Sequence, residues 1–161
     1  VKDVRKAASL WSKKFNIGPF YINEHIKISN TLVNKKKSEF DHSSAYGWRE
    51  NIMIELICDH QIQDTPSNSN SSGIHHIAWI APDFEKEREI LNKEGCEEVL
   101  SANAGHRNGM KFAWFYPGKE VNHFYEIYEK SDDINNFYSF LYEQSKSWKG
   151  ENPIRNISDI N

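Results

Sequence analysis

Gly73-Ile74-His75-His76-Ile77-Ala78-Trp79-Ile80-Ala81-Pro82-Asp83-Phe84 is an apolar run that carries two adjacent histidines, stops at Pro-Asp and passes at once into a charged segment. The run reads as a strand over 74–80. Asp83 then reads as the N-cap of a helix over 84–94, which Gly95 ends. Alternation along a strand sends His75 and His76 to opposite faces, one with Ile77 and Trp79, the other with Ala78 and Ile80. Two carboxylates stand in comparable surroundings: Glu126 within Phe124-Tyr125-Glu126-Ile127-Tyr128, and Glu55 within Ile52-Met53-Ile54-Glu55-Leu56-Ile57. A histidine and two carboxylates set into apolar strands are costly to bury without a partner. A shared metal ion would be such a partner.

Outward from this stretch the chain repeats itself. After the 84–94 helix, the segments 97–101, 110–116 and 123–129 read as strands. Upstream, Val4, Ala7, Ala8, Trp11 and Phe15 fall at helical spacing over 4–15, with Asp3 as N-cap and Gly18-Pro19 as terminator. The segments 20–28, 31–40 and 52–58 read as strands, and the turn-rich 41–47 between them as a loop. Residues 64–73 are polar and read as a flexible connector. Each half is thus strand, helix and three strands, with the first half's opening strand mostly absent. Val1-Lys2-Asp3-Val4 matches Ala81-Pro82-Asp83-Phe84, and Ile54-Glu55-Leu56-Ile57 matches Tyr125-Glu126-Ile127-Tyr128. The counterpart of His76 would lie five residues before Val1. A last helix runs from Ser131-Asp132-Asp133 to about 148, with Ile134, Phe137, Phe140 and Leu141 on one stripe; the tail from 150 is too polar to assign. The expected organisation is one domain: a first module (1–63), a connector (64–73), a second module (74–130) and a C-terminal helix with tail (131–161).

Composition narrows the function. Twenty Lys and Arg stand against 23 Asp and Glu, a formal net charge of −3. Nothing in that balance calls for nucleic acid or an anionic membrane. Lys35-Lys36-Lys37 reads as a solvated loop, and Cys58 and Cys96 are too few and too far apart for a disulfide framework, which fits a cytoplasmic setting. No apolar stretch approaches the roughly 18 residues needed to span a bilayer.

The residues Gly18-Pro19-Phe20, Ile54-Glu55-Leu56-Ile57, His75-His76-Ile77-Ala78, Asp83 and Tyr125-Glu126-Ile127-Tyr128-Glu129 together resemble the vicinal oxygen chelate superfamily. That family includes glyoxalase I, methylmalonyl-CoA epimerase, extradiol dioxygenases and bleomycin- and fosfomycin-resistance proteins. Asp41-His42-Ser43-Ser44-Ala45-Tyr46-Gly47 resembles a block found in its bacterial glyoxalase-like subgroup. The resemblance implies an α+β fold in which two βαβββ modules form a half-open barrel of mixed sheets around one divalent metal. It implies His76 and Glu126 as ligands from the second module, Glu55 from the first, and a fourth ligand, a histidine, upstream of Val1. His76 is preferred to His75 because the family's ligand directly precedes an apolar-small-apolar run; His75 would then face the covering helices.

Two histidines and two carboxylates with exchangeable waters suit Zn, Ni, Co, Mn or Fe(II) without choosing among them. By analogy the metal would hold a substrate carbonyl oxygen while Glu126, or else Glu55, removes the proton from the adjacent carbon. His42, Ser44 and Tyr46, with Ser43, could reach over the pocket mouth; Trp79 and Arg107 are further candidates for substrate contact. Phe20, Trp79 and Trp114 read first as core or sheet-face residues. The expected function is a metal-dependent lyase, isomerase or epimerase acting on a small molecule, as a homodimer. The alternatives are a metal-free small-molecule binding protein of the bleomycin-resistance type and a dioxygenase.

Overall fold

The computed structural model describes residues 1–60, 73–105 and 109–160. The expected connector, apart from Gly73, and Arg107 with its neighbour His106 lie outside the described residues. In chain order the elements are α1 (Val4–Phe15), β1 (Phe20–Asn23), β2 (Ile28–Val33), β3 (Lys36–Lys37), β4 (His42–Arg49), β5 (Ile52–Asp59), β6 (His76–Ala81), α2 (Phe84–Lys93), β7 (Glu97–Ala104), β8 (Lys111–Tyr116), β9 (Phe124–Glu129), α3 (Asp132–Ser147), β10 (Ile154–Asn156) and a final 3₁₀ turn (Ile157–Asp159). The fold is α+β with mixed sheets, as expected. No helix among the described residues is long and apolar enough to cross a membrane.

Both capping aspartates act as expected. Asp3 Oδ1 accepts the backbone N–H of Lys6 at 3.0 Å, and Asp83 Oδ1 accepts that of Lys86 at 3.1 Å. Each satisfies one of the donors that a helix start leaves over, and an anion there also suits the helix dipole. The first residue of each helix, Val4 or Phe84, is then buried.

The chain forms two compact units. The first comprises Val1–Ile26, Asp41–His60 and Asp132–Asn161. Its sheet has the order β10-β1-β4-β5, antiparallel except where β10 runs parallel to β1. On one face α1 packs Val4 and Ala8 with Phe20, Ile22, Ala45, Leu56 and Cys58. Across the other face lies α3, where Phe140 meets Tyr21 at 5.1 Å and Phe137 meets Tyr46 at 5.4 Å. Tyr138 and Tyr142 flank Trp48 on the same side.

The second unit comprises Lys27–Phe40 and Gln61–Ser131. Its sheet has the order β3-β2-β7-β8-β9-β6, with β6 parallel to β9 and the remaining pairs antiparallel. Phe84 and Leu91 of α2 pack on Ala81, Ala113, Phe115 and Ile127, with Trp79, Cys96 and Tyr125 at the margin.

Three local expectations are corrected, and one unassigned segment gains a strand. The 20–28 segment is two strands in different sheets: β1 stops at Asn23, and His25 turns through the left-handed region (φ 49°) before β2 begins. The 31–40 segment is the end of β2, a two-residue turn and β3. Asn34 and Lys35 both have positive φ (49° and 63°), the geometry that a tight hairpin requires.

The expected loop at 41–47 is the largest correction, because β4 pairs with β5 along its whole length and with β1 at Ser44, Ala45 and Tyr46. Its Ser, Ala and Gly residues look turn-like in isolation, yet a strand packed on both faces needs small side chains. A Cβ on Gly47 would stand 2.6 Å from the Phe20 ring. Finally, the polar tail contributes β10 to the first sheet.

Candidate metal centre

In the second unit β6 and β9 run side by side, so residues at equal register share a face. His76 stands opposite Phe124, and Ala78 opposite Glu126. Across the other edge of β9, Trp114 of β8 is directly opposite Glu126. Phe124, Glu126, Tyr128, Trp114 and His76 therefore occupy one face, while Tyr125, Ile127, Ala113 and Phe115 point to α2. His76 Nε2 lies 3.1 Å from Glu126 Oε2, with only 8% and 4% of the two side chains exposed. A buried imidazole and a buried carboxylate at this separation form the kind of mixed N/O donor pair that divalent transition metals take.

An aromatic wall surrounds the pair. The Trp114 ring stacks with His76 (6.0 Å, 18°) and Phe124 (6.2 Å, 16°), and Phe40 meets its edge at 5.2 Å. Trp114 is 2% exposed, and its indole nitrogen has no hydrogen bond within the described residues. The sequence left Trp114 as a core or sheet-face residue. Its place beside the pair follows from the β8–β9 register, which one-strand periodicity does not supply.

The expected separation of the two histidines fails. His75 does not face the helix side: its ring lies 4.9 Å from Trp114 and 5.3 Å from Phe124, with Nδ1 2.9 Å from His76 Nδ1. β6 begins at His76, so His75 precedes the pleat and escapes the alternation rule. Trp79, in contrast, sits on the α2 side against Tyr125 (5.7 Å), on the face opposite His76 and Glu126.

In the first unit Glu55 stands mid-strand in β5, half-buried, opposite Tyr46 in the β4–β5 register. Alternation puts His42, Ser44 and Tyr46 on the same face of β4, so these three share the face of Glu55. His42 and Ser44 are buried in the strand, and Tyr46 is half-buried against Phe137. Ser43 points to the other face: its Oγ accepts the backbone N–H of His25 at 3.0 Å and lies 2.6 Å from His60 Nε2.

Comparison with known proteins agrees with this architecture. Residues 1–114 match the family described as the Glyoxalase/Bleomycin resistance protein/Dioxygenase superfamily. No curated protein matches the sequence. Among solved structures, a hypothetical protein from Bacillus halodurans C-125 aligns with a TM-score of 0.53 at 16% identity, covering 82% of this chain and 89% of that one. Methylmalonyl-CoA epimerase of Streptomyces coelicolor, in complex with 2-nitronate-propionyl-CoA, aligns with a TM-score of 0.50 at 12% identity, covering 81% and 91%. At these identities the structures bear on the fold. On the family match, the chain belongs to the Glyoxalase/Bleomycin resistance protein/Dioxygenase superfamily.

Proposed function

We propose that this protein is a metal-dependent lyase, isomerase or epimerase that moves a proton next to a substrate carbonyl. The observation that supports this reading is the buried His76–Glu126 pair, 3.1 Å apart, on a strand face walled by Trp114 and Phe124. His76 and Glu126 would hold the ion, together with Glu55, the residue matching Glu126 in the first half of the repeat. When bound, a divalent ion supplies Lewis-acid polarisation of a carbonyl oxygen.

The chain's own residues supply the rest. Glu126 takes the proton from the carbon beside the carbonyl, the role that the family likeness gives to a carboxylate next to the ion. Glu55 is the alternative base. Trp114 and Phe124 exclude water from the carboxylate. Tyr46, on the face of Glu55, is the candidate for contact with substrate. The active form is read as a homodimer, which light scattering on the purified protein tests.

The chemical test uses methylmalonyl-CoA as a probe in heavy water, with NMR following exchange of the proton beside the carbonyl. Exchange that the wild type catalyses and Glu126→Gln slows by about 10²–10⁴-fold supports the reading. Glu126→Gln and His76→Ala should each also lose one bound metal ion per chain. A folded protein that takes up no metal at these residues and still binds a small molecule would sink the reading and favour sequestration.

A further inference from the structure

The first unit holds a second cluster of metal-ligating side chains on separate segments of the chain. β1 ends at Asn23, β4 starts at His42 and β5 ends at Asp59. Because β4 runs antiparallel to both neighbours, those three termini lie at one end of the sheet. His25, Asp41 and His60 flank them. One nitrogen of each histidine and one oxygen of Asp41 lie within 4.8 Å of one another.

We propose that His25, Asp41 and His60 bind a divalent transition-metal ion at this end of the first sheet, clamping the three strand termini. The site is independent of the His76–Glu126 centre. Two imidazoles and one carboxylate suit Zn²⁺, Ni²⁺ or Co²⁺, with water completing the shell. His25 Nδ1 is 3.0 and 2.9 Å from the two Asp41 oxygens, close to the roughly 3 Å between neighbouring donors on one ion with bonds of about 2.1 Å. The His25 and His60 rings stack at 4.5 Å with 24° between their planes.

The cluster is also held in place from beneath. Ser43, 1% exposed, takes the His25 backbone N–H at 3.0 Å and holds His60 Nε2 at 2.6 Å with one hydroxyl. Outer hydrogen bonds of this kind orient metal-binding histidines. His25 itself turns through the left-handed region, at φ 49°. The His25 and Asp41 side chains are 67% and 46% exposed, so an ion reaches them from solvent and small rotamer changes close the set.

Zn²⁺ alone is the probe, added to the full chain and counted by competition with a chromophoric chelator and by native mass spectrometry. His25→Ala, Asp41→Asn and His60→Ala should each bind one ion fewer per chain than the wild type, with unchanged circular dichroism. His76→Ala should keep this equivalent, which separates the site from the centre proposed above. Ser43→Ala leaves the ligands in place and should weaken Zn²⁺ at this site by about 10–100-fold. In wild-type protein, Zn²⁺ should shift the ring-nitrogen NMR signals of His25 and His60. Equal Zn²⁺ uptake by the wild type and the three ligand variants, or unmoved His25 and His60 signals, overturns the proposal.

Discussion

β5 in the first unit and β9 in the second carry matching sequences, each with a glutamate set among apolar residues, yet they end in different surroundings. β9 lies between β8 and β6, and Glu126 is 3% exposed beside His76. Among the described residues β5 pairs with β4 alone and forms a sheet edge, with Glu55 half-buried. A neighbouring strand does two things for β9: it satisfies the backbone along the second edge and supplies the imidazole beside the carboxylate. A repeated sequence thus sets where the glutamate falls in its strand, while the adjacent strand sets its chemistry.

The helices are a sharper case of likeness with a difference. Both start on an aspartate cap and both tie an arginine to a glutamate. Arg88 grips Glu98 of β7 through two bonds of 2.6 and 2.8 Å, with the Glu98 side chain 9% exposed. Arg5 grips Glu24 through bonds of 3.1 and 2.8 Å, but the two side chains are 45% and 48% exposed. Hydrogen bonding to Glu98 holds the Arg88 guanidinium above its ordinary pKa, against the opposing effect of burial. Hydrogen bonding to Arg5 lowers that of Glu24.

The largest expected effects are equal in the two units. Phe20→Ala removes a fully buried ring from the first core and Phe115→Ala one from the second. Each should cost about 3–5 kcal/mol in denaturant unfolding. A cost below about 1 kcal/mol for either would mean that its unit does not fold around the core described.

The next effect separates the units. Backbone amides of β9 should exchange with solvent roughly 100-fold more slowly than the edge-facing amides of β5, read by hydrogen-exchange NMR. Uniform protection along β5 would break the contrast, because it would require a further strand on that edge.

Smaller again is the difference between the arginines. Arg88→Ala leaves Glu98 buried without its partner and should cost about 1–3 kcal/mol, whereas Arg5→Ala should cost less than about 1 kcal/mol. Equal losses would mean that burial does not distinguish the two ties. The smallest expected effects are again matched: Asp3→Ala and Asp83→Ala should each cost about 1 kcal/mol. A much larger loss at one helix would show that the caps are not equivalent.

The helices were legible because capping and 3.6-residue periodicity are local. Asp3, Asp83 and Gly95 stand where the helices begin and end. Strands 52–58, 97–101, 110–116 and 123–129 were legible for a similar reason, since apolar runs between turn residues mark them. β4 was not, because its buried small residues reflect two helices pressing on it from remote parts of the chain. The residues named for the centre were read partly from the repeat and partly from family likeness. The approach of His75 to Trp114 was open to neither, whereas the side taken by Trp79 follows from alternation once His76 faces the centre.

The two helices with their aspartate caps and the strand positions of Glu55, His76 and Glu126 were legible in the sequence, because each rests on residues a few positions apart. Tertiary structure decided which strand became a neighbour, which face each helix covered and which side chains came within bonding distance. His76 meets Glu126, and His25 meets Asp41 and His60, only once strands remote in the chain are laid side by side. Hydrogen bonding between strands fixes that register, and no pattern within one segment encodes it.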